Sequence, residues 1–113
     1  TIINDKGLYA VRTVGKVLKS YNKDEFGANK IFEFMRRKHI LMDKENTQNH
    51  NLPYDKYNRY FDIKYVNIGG FYNSYSQPKA YFNGKGLKWF LHHLVKQNYI
   101  TNEDRTEVAN ALQ

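Results

Sequence analysis

Two apolar stripes at helical spacing, separated by a short polar turn, constrain the fold of this chain more than any other feature. In the first, Val14, Val17, Leu18 and Tyr21 fall at i, i+3, i+4 and i+7, one face of a helix. Thr13 is its expected N-cap. Asn22 to Gly27 is polar and turn-rich and should end it. The second helix is expected from Ala28 to about Lys38. There Ala28, Ile31, Phe32, Phe34 and Met35 share one half of the helical wheel, and Asn29, Lys30, Glu33, Arg36 and Arg37 the other. Continuing further would push Lys38 into the apolar stripe. His39 then falls at the left-handed position that commonly follows a helix, which His tolerates better than most side chains.

Downstream the period changes to two. Tyr60 to Ile68 alternates, with Phe61, Ile63 and Tyr65 on one side and Asp62, Lys64 and Val66 on the other, as in a half-buried strand. Gly69-Gly70 reads as a two-residue hairpin turn. Phe71 to Tyr75 begins the return strand, and Pro78 places its far end at a sheet edge. Lys79 to Phe82 alternates again, and Gly84-Lys85-Gly86 breaks the strand before a helix with Leu87, Phe90, Leu91, Leu94 and Val95 as its stripe. Thr101 with Asp104 resembles an N-terminal cap, and Val108, Ala111 and Leu112 mark a short last helix. Near the N-terminus, Ile2-Ile3, the turn-like Asn4 to Gly7 and Leu8 to Val11 read as a short strand or hairpin. The order is short β, helix, turn, helix, β-hairpin, helix, helix. That predicts an α+β fold of winged helix-turn-helix type, one domain over 1–113 with its core at about 13–97 and a terminal helix at 101–112.

Composition narrows the function. A chain of 113 residues suits one domain. No apolar run approaches the roughly 20 residues of a membrane span, and no basic-then-apolar leader opens the chain. With no cysteine there is no disulfide and no thiolate chemistry. Eighteen Lys and Arg against eleven Asp and Glu give a net charge of +7, which attracts polyanions, nucleic acid first among them. Solubility alone would also account for such a charge. No phosphate-binding P-loop is present. Gly84-Lys85-Gly86 at a helix start offers Lys85 and backbone N–H groups to a phosphate, although a tight strand-to-helix turn explains the same residues. His92 and His93 diverge by about 100° on a helix and cannot face one ion together. Glu103, Asp104 and Glu107 sit where a helix N-terminus wants negative charge. The expectation is a non-enzyme without metal or cofactor.

The polar half of the second helix carries the functional expectation. Asn and Arg make bidentate contacts to base edges and Lys serves phosphates, which assigns Asn29, Lys30, Glu33, Arg36 and Arg37 to a nucleic-acid face. The structural alternative is an ordinary charged surface with a Glu33–Arg37 ion pair at i, i+4. Lys64, Lys79, Tyr72 and Tyr75 lie on or beside the hairpin, where a wing would touch the sugar-phosphate backbone; a Lys-guarded edge strand is the alternative. For a protein partner the candidate interface residues are Tyr72, Tyr75, Trp89 and His92; Trp89 lies among Lys88, His92 and Lys96, as suits an aromatic anchor. Packing beneath the terminal helix is the favoured structural reading for Trp89.

Taken together, the motifs resemble a family. Val14-Gly15-Lys16-Val17-Leu18, Gly27 to Arg36, and Ile40-Leu41 resemble the KilA C-terminal-type domain of phage antirepressors. Asn51 to Tyr57 is similar to that family's Asn-x-Pro-Thr-x-Lys segment, Phe61 to Lys64 to its next strand, and Pro78 to Phe90 to its entry into the last helix. The similarity runs from about Val14 to about Leu94. His39, Tyr54 and Asn83 depart from the family's usual Gly, Thr and Thr. The resemblance implies a C-terminal module of a larger phage regulator that lifts prophage repression in the host bacterial cytoplasm. Its expected partner is double-stranded DNA; the alternative is the phage repressor protein, bound and inactivated. A homodimer fits the half-site habit of helix-turn-helix readers.

Overall fold

A computed structural model describes residues 3–70 and 74–113. The chain is a mixed α+β fold in which, among the described residues, five helices pack with a three-stranded antiparallel sheet. Strand β1 (Leu8–Ala10) runs directly into helix α1 (Val11–Ser20), and α2 (Lys30–Arg37) follows a turn. A 3₁₀ helix (Asp55–Tyr60) then leads into β2 (Phe61–Ile68), β3 (Tyr75–Asn83), α3 (Gly84–Lys96) and α4 (Asn102–Ala111). Sheet order is β1-β3-β2.

Helix ends follow local chemistry. Asn22, His39 and Asn98 all adopt positive φ (67°, 58° and 64°) just past α1, α2 and α3. After each, two backbone N–H groups turn back onto the last carbonyls, as from His39 to Arg36 and from Ile40 to Met35. This is the Schellman arrangement, and His39 occupies its left-handed position as the sequence predicts. Thr101 and Asp104 form a complete capping box at α4, with Asp replacing the longer Glu or Gln. Helix α1 starts earlier than expected: Ala10, paired with Tyr81 in the sheet, is already extended and serves as N-cap, so Thr13 lies inside the helix. Helix α2 starts two residues later than Ala28, at Lys30.

A file of rings runs through the core. Phe34 meets Phe26 and Tyr99 edge-on, with centroids at 5.0 and 5.1 Å, and Phe90 at 6.3 Å. Phe82 continues the file from Phe90 and stacks on Phe61. The offset and edge-on geometries suit the ring quadrupoles. Helices α1 and α2 approach so closely that a Cβ at Gly15 would collide with the Gly27 carbonyl oxygen and Ile31. The last helix is tied to the first turn by a 2.8 Å Lys23–Asp104 ion pair.

The hairpin departs from the sequence reading in three ways. Ile68 pairs with Tyr75, so Gly69-Gly70 does not by itself close a two-residue turn. Of the expected return strand, Phe71 to Asn73 lie outside the described residues. Pro78 lies on the central strand of the sheet, not on an outer one: it pairs with Tyr65 on one side, and on the other side β1 reaches only Tyr81 to Asn83. The missing Pro N–H is therefore tolerated beside an open stretch. Finally, Phe61 is the only buried residue of β2; Val66 is half-buried, and Ile63 and Tyr65 remain exposed.

Asn83 joins strand to helix. It pairs with Leu8, its Oδ1 accepts the Gly86 N–H at 2.7 Å as the α3 cap, and its Nδ2 donates to the Arg59 carbonyl at 3.0 Å. A Cβ at Gly86 would collide with the Tyr60 carbonyl oxygen, so the helix start is seated directly on the 3₁₀ helix.

Candidate nucleic-acid interface

The polar side of α2 borders a shallow, open groove. At one end Arg12, Asn29, Glu33, Arg36 and Asn51 surround Phe32. Phe32 and Asn51 continue the floor toward His50, Gln77 and Lys79 of the hairpin. His50 and Gln77 in turn border Tyr75 and the Asn46 to Gln48 turn. Helix, loop and hairpin thus border three adjoining hollows: the outer two are lined mostly by Asn, Gln and Arg, and the middle one also by Val66, Ile68, Pro78 and Ala80. The Asn and Gln amides offer a donor and an acceptor together and the Arg guanidinium paired donors, which suit base edges and phosphates.

Two Arg–Asn hydrogen bonds shape the groove. Arg12 Nη1 donates to Asn29 Oδ1 at 3.1 Å, and Arg36 Nη1 donates to Asn51 Oδ1 at 2.7 Å. Asn29, at the N-cap of α2, makes no capping bond with its side chain, and its backbone is already helical (φ −104°, ψ −34°). The second hydrogen bond fastens α2 to the loop, where Asn51 has φ 61° and its own N–H bonded to Met42 O.

The residues expected on this face are found as follows. Asn29, Lys30, Glu33 and Arg37 are exposed, and Arg36 is half-buried. Lys30 Nζ reaches the Asp24 carbonyl at 3.3 Å. Among the described residues no Glu33–Arg37 ion pair forms; the Arg37 guanidinium lies 5.6 Å from the Phe34 ring centroid instead, a cation–π placement. Lys64 and Lys79 stand directly opposite each other across β2 and β3. Only Lys79 borders the groove, with its ammonium 5.2 Å from the Tyr81 ring. Tyr75 is exposed at the hairpin end of the groove. Tyr72 lies outside the described residues.

Other expected residues gather elsewhere. Lys85 is exposed on the first turn of α3, near Asp5. Lys88, 2.7 Å from Asp5, holds that carboxyl below the usual range, with Lys85 contributing. The Gly86 N–H that a phosphate there would use is already bonded to Asn83. Trp89 does not pack beneath α4. It stacks on Tyr60 at 4.4 Å and 6°, and contacts Tyr57 and His93 at 5.3 and 5.8 Å. The 3₁₀ helix, which the sequence pattern did not reveal, supplies both tyrosines. His92 is exposed beside it. Burial, then Lys38, Lys96 and His92, lower the pKa of His93 from 6.5. In the loop, Asp43, Glu45 and His50 bring one ligand-type atom each within 4.8 Å of one another, while His50 Nδ1 accepts the Lys44 N–H at 3.1 Å.

With this geometry in view, comparison with known proteins is specific. The family model of the phage antirepressor protein KilAC domain matches residues 1–97. The chain belongs to the KilAC domain family. No curated protein and no solved structure matches it. The KilAC match extends beyond the stretch of resemblance read from the sequence, taking in β1 and the end of α3, while α4 lies past it. KilAC antirepressor domains are regulatory and non-enzymatic. Among the described residues no helix is long and apolar enough to cross a membrane.

Sequence reasoning missed Arg12, His50, Asn51 and Gln77 of this KilAC domain's groove, along with the Asn46 to Gln48 turn. Arg12 was hidden by the late start assigned to α1. The others lie on a loop and a strand whose place beside α2 is set by tertiary packing, which no local periodicity encodes.

Proposed function

We propose that this KilAC domain is a non-enzymatic DNA-contacting module of a phage antirepressor, acting on the lysogenic/lytic switch in the host cytoplasm. The order β1-α1-α2-β2-β3, with β3 between β1 and β2, is compatible with a winged helix in which α2 is the reading helix and the hairpin the wing. The observation that supports the reading is adjacency: the polar side of α2 and Lys79 of the hairpin line neighbouring hollows that meet at Phe32 and Asn51. Asn29, Lys30, Glu33, Arg36 and Arg37 supply contacts from the helix, Lys64, Lys79 and Tyr75 from the hairpin, and Lys85 a more distant charge.

Duplex DNA titrated against the domain at several salt concentrations tests it. Five phosphate contacts give a log-log slope of roughly −4.5, and Arg36→Ala with Arg37→Ala should shallow it by about 2. A double variant that binds duplex DNA like the parent overturns the assignment.

A second reading rests on the Trp89–Tyr60 stack. With Lys56 5.5 Å from the Tyr57 ring and Arg59 5.9 Å from the Tyr60 ring, it forms an aromatic and cationic surface of the kind that anchors protein partners. The partner in that case is the phage repressor. Capture of the cognate repressor by the parent, lost in Trp89→Ala but kept in the double Arg variant, favours it.

A further inference from the structure

The apolar side of β2 outruns the core. Phe61 is 5% exposed, whereas Ile63 is 39% and Tyr65 is 71% exposed on the same face. The outer edge of β2 has no neighbouring strand among the described residues over its eight positions. A long open edge flanked by apolar side chains is a template for another strand. The charge on the opposite face is also unbalanced, because Lys64 stands directly against Lys79, and like charges in that position repel.

We propose that this edge pairs antiparallel with the β2 edge of a second copy, about a two-fold axis through Ile63. Such an axis, normal to the sheet, keeps both apolar faces on one side and must fall on a residue position. Centred on Ile63, it sets Asp62 against the partner's Lys64, twice by symmetry. Phe61 then meets the partner's Tyr65, and Ile63 meets the partner's Ile63. Opposite charges and aromatic pairs across a ladder are favourable, and the incoming carboxylate offsets the Lys64–Lys79 repulsion. Moving the axis to Lys64 sets two ammonium groups face to face, and moving it to Asp62 does the same to two carboxylates. Ile63 is the one centre that pairs Asp62 with Lys64. The strand's own charge pattern therefore selects both the partner and the register, and the result is a six-stranded sheet. This rests on the sheet edge and not on α2; it shares Lys64 with the proposed DNA contacts, and self-association measured without DNA separates the two.

The chain has no cysteine, so single cysteines report register. Ile63→Cys places two Cβ atoms about 4.5–5.5 Å apart, close to disulfide geometry, and should oxidise to a species of twice 13.5 kDa. Lys64→Cys places them on a diagonal about 7–8 Å apart and should cross-link at least ~10-fold more slowly. An edge contact of this size belongs to the weak class, so sedimentation from roughly 10 μM to 1 mM should show mass rising with concentration. Asp62→Lys and Lys64→Asp should each abolish that rise, and the two together should restore it. Both positions are exposed, and thermal midpoints verify folding. A parent that stays monomeric throughout, cysteines that cross-link equally at 63 and 64, single variants that still dimerise, or a double swap that stays monomeric overturns the proposal.

Discussion

Arg36 reaches out of α2 to Asn51, fifteen residues later, and the 2.7 Å bond between them holds the helix against the loop. The bond joins a half-buried guanidinium to a residue whose φ is 61°, so the two elements meet at a fixed distance.

Asn51→Gly removes that acceptor while keeping a residue at ease with positive φ. Stability should fall by about 1 kcal/mol, the usual net value of one hydrogen bond, read from the denaturant midpoint at constant m. Duplex DNA affinity should fall too, because Arg36 is no longer held in place. If stability is unchanged, the bond contributes nothing in solution.

Gly15→Ala tests the helix contact. Its Cβ meets the Gly27 carbonyl oxygen and Ile31, neither of which can move without shifting α2. Overpacking of this kind costs about 1–3 kcal/mol, which for a domain of this size lowers the thermal midpoint by roughly 4–15 °C. Calorimetry at neutral pH measures it directly, and a midpoint within a degree of the parent's would show that the helices are not in tight contact.

Acid should loosen the last helix. The Asp104 carboxyl is held below its ordinary 3.8 by the Lys23 hydrogen bond first, then by the Thr101 N–H. A depressed carboxylate stabilises the fold above pH 3.8, and that contribution is lost as pH falls through the folded-state value. Asp104→Asn should therefore lower stability at pH 7 and flatten the decline between about pH 4 and the folded pKa. Thr101→Ala, which removes the cap, should cost about 1 kcal/mol at neutral pH. Parallel pH–stability curves for parent and Asp104→Asn would contradict the linkage.

His93 gives a neutral-range counterpart. Its folded pKa lies below 6.5 because burial and then Lys38 disfavour the cation. The unfolded chain protonates first, so stability declines as pH drops from about 7 toward the folded value and levels off below it. Lys38→Ala should raise the His93 pKa toward 6.5. Trp89 is the one tryptophan and lies 5.8 Å from the His93 ring, so its fluorescence against pH reports the titration. A midpoint at or above 6.5 in the parent refutes the assignment.

What the sequence disclosed was local. The stripes of α2 and α3, the left-handed His39 and the Thr101–Asp104 cap depend on residues within one or two turns of each other. His39 and the cap are found as expected. The stripes hold in their centres, Ile31, Phe34 and Met35 in α2 and Leu87, Phe90, Leu91 and Leu94 in α3, whereas Ala28 precedes α2, Phe32 is half-buried at the groove and Val95 is half-buried. The errors share one cause, distance along the chain. Pro78 reads as an outer-strand residue because nothing near it announces that Leu8 to Ala10 pairs with Tyr81 to Asn83. Gly69-Gly70 satisfies a tight turn locally, yet the pairing of Ile68 with Tyr75 overrides it. Trp89 was assigned to α4 because its true neighbours, Tyr57 and Tyr60, belong to a 3₁₀ helix with no periodic signature. The groove followed the same rule: its helical wall was legible, and its loop wall was not.

The threefold role of Asn83 has a mechanical corollary. Its ladder partner, the helix cap and the Arg59 carbonyl all engage this one residue, so the end of β3 and the start of α3 share an anchor. Losing that side chain would loosen strand and helix together.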